Sequence, residues 1–296
     1  MQYLVFILLY PFLWLLSILP MRVLFMLSDI LYIILYYVVG YRKKVVRHNL
    51  KLSFPEKSDQ EIKIIEKKTF QHFIDVFMET IKSFTISEKE LTKRVSLTNP
   101  EATDAYFDKN QSVVFVSGHY ANWEWVASLV EIKIKHNLSV AFTSQSNKYF
   151  NNLIKKTRTK FGVSVVRAQE FYPYILNNLR KNNLQAYGFI ADQSPMLSKA
   201  KYWSTFMGVE VPIIDGPETI ARKLNLPVFY FHTERIKRGV YRCSFILLED
   251  EPKKAAPHEI TTKYIHELEK QIKKEPEFYF WTHKRFKHMG KKPEST

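Results

Sequence analysis

The stretch Val113-Val114-Phe115-Val116-Ser117-Gly118-His119-Tyr120-Ala121-Asn122-Trp123-Glu124-Trp125 decides how the chain is read. It opens as an apolar run rich in β-branched residues, which predicts a buried strand. Ser117-Gly118 ends the run, and Gly118 permits a tight turn. From Ala121 onward, Trp125, Leu129 and Ile132 fall at helical spacing and predict a helix to about Lys135. His119 then lies in a strand-to-helix turn, with Glu124 in the first turns of the helix. Side chains five positions apart do not share a face of a continuous helix. The turn at Gly118-His119 is what can bring them together.

A histidine near neutral pH can take a proton from a hydroxyl, and it does so best when an acceptor on its other ring nitrogen fixes the tautomer. Glu124, stabilised as a carboxylate near a helix N-terminus, is the expected acceptor. The plainer reading is that His119 caps the helix and Glu124 is an ordinary first-turn acid.

The rest of the chain predicts strands alternating with helices. Strands are expected at 138–142, 163–166, 184–191, 227–234 and 241–248, and helices at 58–84, 147–161, 172–182, 218–224 and 258–274. In the helix at 58–84, Ile62, Ile65, Phe70, Phe73, Phe77 and Ile81 form the apolar stripe. The expected fold class is α/β, a central mixed sheet flanked by helices, with an N-terminal membrane-anchoring helix or helices. Residues 3–19 carry no charge, and a second apolar run, 23–39, contains only Asp29. Each is at the short limit for crossing a bilayer. The basic cluster Tyr41-Arg42-Lys43-Lys44-Val45-Val46-Arg47-His48 follows at once, which predicts a cytoplasmic-face main domain beside anionic headgroups. Either the first run spans while the second lies in the interface, or both enter as a hairpin. The chain thus divides into an anchor, 1–40, and a single domain, 41–296.

The net charge of +15 implies an anionic partner, for which nucleic acid, membrane and an acidic carrier protein all qualify. The single Cys243 cannot make an intrachain disulfide. No Gly-rich phosphate loop, G-x-S-x-G elbow or His/Cys metal-ligand spacing occurs. No nucleic-acid motif occurs, and the basic residues follow an apolar run, which argues against nucleic acid.

Gly118-His119-Tyr120-Ala121-Asn122-Trp123-Glu124 resembles the G-H-x-x-N-W-E block of the lipid A late acyltransferases, which transfer lauroyl or myristoyl groups. They belong to the lysophospholipid acyltransferase superfamily, which shares H-x-x-x-x-D/E. Further blocks resemble the family in the same order: Asn49-Leu50 with Phe54-Pro55-Glu56, Arg158 shortly before Gly162, and Asp192-Gln193-Ser194-Pro195. The closing block, Pro276-Glu277 with Trp281, His283, Arg285, Phe286 and Lys287, departs at Lys284, where the family has arginine. Lysine lacks the planar bidentate fork.

The resemblance implies a membrane-bound acyltransferase at the bacterial inner membrane. It would move a fatty acyl chain from an acyl carrier protein or coenzyme A thioester to a hydroxyl of a lipid A precursor. His119 and Glu124 are the implied catalytic pair. Arg158 would bind phosphate or the oxyanion, and Asp192 would hold Arg158 or contact the acceptor. Asn122 and Arg285 would complete the substrate site. No metal or bound organic cofactor is required. Three other readings stay open: the same chemistry on a glycerol lysophospholipid or other glycolipid, a non-catalytic membrane tether, and a basic nucleic-acid binder, against which the apolar N-terminal run argues.

Overall fold

The computed structural model describes residues 2–143 and 148–293. It begins with two apolar helices, α1 (Gln2–Ile18) and α2 (Met21–Ile33), the second continued as a wider helical turn through Val39. Helices α3 (Lys43–Ser53), α4 (Asp59–Lys82) and α5 (Glu88–Arg94) follow, then β1 (Val95–Leu97) and α6 (Glu101–Phe107). The quoted stretch forms β2 (Val113–Ser117) and α7 (Trp123–Lys133). Next come β3 (Asn137–Phe142), α8 (Lys148–Thr159), β4 (Ser164–Arg167), α9 (Phe171–Arg180) and β5 (Gln185–Ile190). After β6 (Tyr202–Phe206) and β7 (Val209–Ile213) the chain ends with α10 (Gly216–Leu224), β8 (Val228–Lys237), β9 (Val240–Glu249) and α11 (Glu259–Lys274).

Seven strands form one mixed sheet in the order β1-β9-β8-β2-β5-β3-β4, and helices flank it. The fold is α/β, as the alternation of patterns predicts. All neighbours are parallel except β8 and β9, a hairpin. β2 is central, between β8 and β5, and Val113 to Val116 are almost fully buried. A strand covered on both faces reads as a continuous apolar run, which is why 113–116 shows no alternation.

The structure differs from the expectations in three places. The β6–β7 hairpin stands apart from the main sheet and was not expected. The Pro55-containing segment 49–56 reads as a turn in sequence, but 49–53 belong to α3 and the turn begins only after Ser53. Expected helix position 147 lies outside the described residues. Phe77, counted in the apolar stripe of α4, is exposed, whereas Glu66, His72, Asp75 and Glu79 on that helix are buried. Partners on several sides explain this. Glu66 holds Arg47 and Tyr36, Asp75 holds Ser28, Arg235 and Arg238, and Glu79 holds Asn122 and Tyr241.

Gly118 is a glycine for a reason other than the one expected. The left-handed residue in the turn is Ala121, with φ +51°. Gly118 instead lets α11 approach, since a Cβ there would lie 2.8 Å from Leu268 Cδ1 and 3.5 Å from Asp192 Cγ. Leu268 is itself fully buried, so it has little room to move. Gly118→Ala should therefore cost about 1–3 kcal/mol of stability through overpacking, read as a lower midpoint in chemical denaturation with no change in slope.

Candidate active site

The site is built at the C-terminal ends of two adjacent parallel strands. β2 and β5 pair in the register Ser117 to Ile190, and Ala191 N–H donates to Ser117 O at 3.1 Å. Two residues further along each chain stand His119 and Asp192. Neighbouring strands are only about 4.8 Å apart, so this register delivers the carboxylate to the imidazole. Asp192 Oδ1 lies 2.7 Å from His119 Nδ1, and Asp192 Oδ2 accepts the His119 backbone N–H at 3.0 Å. The carboxylate thus fixes both the ring and the turn that carries it.

A strap from the C-terminus grips the other side of the turn. Phe280 N–H donates to His119 O at 3.1 Å, and Ala121 N–H donates to Phe278 O at 2.9 Å. Asn49 on α3 anchors the strap, its amide donating to Trp281 O at 2.8 Å and His283 O at 2.7 Å. The imidazole packs against Trp123, with ring centroids 5.1 Å apart, and Phe280, at 5.8 Å, and those two rings touch each other at 5.5 Å. Its Nε2 edge is next to Gln193 Nε2, at 3.5 Å.

Asp192 is buried, which by itself raises a carboxyl pKa. The charge and hydrogen bonds of His119, with the charge of Arg285, outweigh that and hold it below the usual carboxylate range. Asp192 is therefore an acceptor at neutral pH, which places the His119 proton on Nδ1 and leaves the Nε2 lone pair for chemistry. His283 is pushed down to about 4, chiefly by burial, so its neutral Nε2 accepts the Ser194 N–H at 3.2 Å.

The structure corrects the expected partner of His119. Glu124 makes a two-point ion pair with Arg158 instead, Nε to Oε2 at 2.8 Å and Nη2 to Oε1. Glu124 in the first turn of α7 thus binds across to α8. Burial depresses the Arg158 pKa, but the Glu124 hydrogen bond and charge more than reverse this, so the net shift is upward. Arg158 is held by Glu124, and Asp192 belongs to His119.

Two other expected substrate residues face inward. Asn122 is fully buried as the N-cap of α7, accepting Trp125 N–H at 2.9 Å and donating to Glu79 Oε2 at 2.7 Å. Arg285 is buried over the Phe206 ring, with its carbon 4.8 Å from the centroid. One Nη reaches Pro212 O at 3.3 Å, and Nε and the other Nη have no acceptor among the described residues. Its charge supports Asp192 from behind. Glu79 was missed entirely, and the one available hint was an acid within the apolar pattern of α4. Among the described residues no cluster of His, Cys, Asp or Glu has metal-binding geometry.

The site thus holds two charged pairs, His119 with Asp192 at the ends of two parallel strands and Arg158 with Glu124 between α8 and α7. The chain belongs to the bacterial lipid A biosynthesis acyltransferase family, whose model matches residues 1–288. A curated relative, Lipid A biosynthesis acyltransferase 2 of Shigella flexneri, is 23% identical over 188 residues. That match takes in 63% of this chain and 59% of the relative, so the chain spans less than two thirds of that protein.

Two measurements follow from the geometry. Nitrogen-15 spectra should show neutral His119 as the Nδ1–H tautomer, and Asp192→Asn should move population to Nε2–H. Burial pushes Glu79 up to about 7. Such a group gives stability that is fully present below its unfolded pKa, near 4.3, and is lost as pH rises through about 7. Glu79→Gln should therefore gain on the wild type by on the order of 3 kcal/mol between pH 4.5 and 8 in paired denaturation curves.

Proposed function

We propose that this chain is an O-acyltransferase that moves a fatty acyl group from a thioester to a hydroxyl of a lipid A precursor. The observation that carries the proposal is the His119–Asp192 pair, which leaves the imidazole Nε2 edge toward Gln193, together with the Glu124–Arg158 pair that joins α7 to α8. Family membership supports the acyl chemistry and the lipid acceptor. The donor would be an acyl carrier protein or coenzyme A thioester, to which the net charge of +15 is suited. The protein would work on the cytoplasmic face of the bacterial inner membrane, with residues 1–40 as anchor and 41–296 as the acyltransferase domain.

In this mechanism the acceptor O–H gives its proton to His119 Nε2 as its oxygen bonds to the thioester carbon. Asp192 stabilises the imidazolium that forms. Negative charge collects on the former carbonyl oxygen, where Arg158 and the first amides of α7 stabilise it. The C–S bond then breaks, and His119 returns the proton to the departing sulfur. Glu124 acts through Arg158 by fixing its fork. No acyl-enzyme forms, and metal or a bound organic cofactor has no role in these steps.

The test is acyl transfer by the purified protein in detergent, with carrier-protein and coenzyme A donors. A tetra-acylated lipid A precursor and a lysophospholipid would be the two acceptors. Transfer to the lipid A precursor is expected, reduced about 10²–10⁴-fold by His119→Ala and about 10²–10³-fold by Arg158→Ala. Transfer to the lysophospholipid alone would replace the acceptor. No transfer from a folded protein would leave the tether.

A further inference from the structure

Residues Met21–Val39, comprising α2 and its continuation, form a 19-residue helix long and apolar enough to cross a membrane. Its packing opposes crossing. The helix runs antiparallel along α4 and is tied to the folded domain at successive levels. Leu19 O, just before it, accepts from Lys82 Nζ at 3.0 Å. Ser28 donates to Asp75 at 2.7 Å, and Tyr36 donates to Glu66 at 2.8 Å. Between them Asp29 takes both terminal nitrogens of Arg238, at 2.6 and 3.1 Å. Arg238 lies in the turn between β8 and β9 and also binds Asp75.

Crossing would therefore not move an apolar helix alone. Its closest neighbour α4 carries Glu66, Asp75, Glu79 and Lys82 alongside it, and Asp29 is near its own midpoint. Each ionised side chain at a bilayer centre costs about 2.5–3.5 kcal/mol even on the mildest scale. Releasing Arg238 instead would strand the buried Asp75 carboxylate without part of its counter-charge.

The opposite face of the helix is turned away from these ties, with Tyr37 at its edge paired to Lys67 of α4. Val23, Met26, Ile30, Ile34, Tyr37 and Val38 are all exposed, the last at 78%. They recur at helical spacing and form an apolar stripe. Cations rim it: Arg22 at its start, and Arg42, Lys43 and Lys44 beyond its end. Lys43 Nζ stands 3.8 Å from the Tyr36 ring centroid, and Lys67 Nζ 5.9 Å from that of Tyr37. An apolar stripe with tyrosines and cations at its edge is complementary to acyl chains below and anionic headgroups above.

We infer that this helix does not span the membrane but lies in the plane of its interface, as the surface on which the domain rests on an anionic bilayer. The inference rests on the membrane attachment proposed above and not on the acyl chemistry. It also sets the approach to the site. At the end of the helix Tyr41 stacks on Phe73 at 6.3 Å, Phe73 lies 5.9 Å from Phe280, and Phe280 lies 5.8 Å from His119. A run of aromatic rings leads from the headgroup level to the imidazole.

The test is a depth profile of the full chain in phosphatidylethanolamine–phosphatidylglycerol vesicles. Nitroxides on single cysteines at positions 23, 26, 30, 34 and 38, with Cys243→Ala, would be read by collision with oxygen and with an aqueous nickel chelate. An interfacial helix gives one shallow depth at all five sites. A depth that peaks near position 30 and falls toward opposite leaflets at 23 and 38 would overturn the inference while leaving membrane attachment intact. Failure to bind vesicles would remove attachment itself, and the inference with it.

Discussion

The site depends on one carboxylate. Asp192 is buried at the end of a central strand and binds His119 twice, through the ring and through the backbone. An unpaired carboxylate there would be very costly. Its pairing with the turn therefore gives the C-terminal ends of β2 and β5 one mutual arrangement. Everything else at the site secures that arrangement: the strap at 278–281 on the far side of the turn, Asn49 behind the strap, and Arg285 behind Asp192. In the proposed mechanism the base needs a fixed tautomer and direction, and both would come from the same two oxygens.

The residue types of the site were legible in the sequence, but neither of its pairings was. His119 and Asp192 come together, and so do Glu124 and Arg158. The spacing of His119 and Glu124 suggested that they were partners, because a turn can close a five-residue gap. What decides the matter is strand order. β5 follows β2 in space although β3 and β4 intervene in sequence, and no local pattern records that adjacency. Once the two strands are neighbours, the register gives Asp192 to His119 and leaves Glu124 free for Arg158. The apolar run of β2 and the alternation of elements were readable because burial on both faces and helical spacing are local properties of sequence.

Buried polar residues set the other limit. Asn122 looked like a binding residue because it stands between His119 and Glu124. Its side chain is instead consumed by the cap of α7 and by Glu79. Arg285, in a basic C-terminal block, looked like a headgroup ligand and is enclosed over Phe206. In both cases residue type gave the capacity to bind something charged, and only the fold could say that the partner was internal. The same applies to α4, whose acids break the apolar stripe because the helix meets α2, α3, α7 and the sheet side.

These internal charges also bear on the membrane. An apolar run in sequence measures affinity for hydrocarbon but not orientation, which is set by what the polar positions of the helix bind. In α2 those positions are Ser28, Asp29 and Tyr36, and each is committed to the folded domain. The helix therefore offers lipid only the face turned away from α4. On the proposed function the acceptor is itself a membrane lipid, and such an enzyme has no need to cross the bilayer at that helix. It needs its catalytic turn held at a fixed height above the headgroups. The aromatic run from Tyr41 to His119 is rigidly joined to the end of that helix. The depth of the helix thus becomes the height of the imidazole.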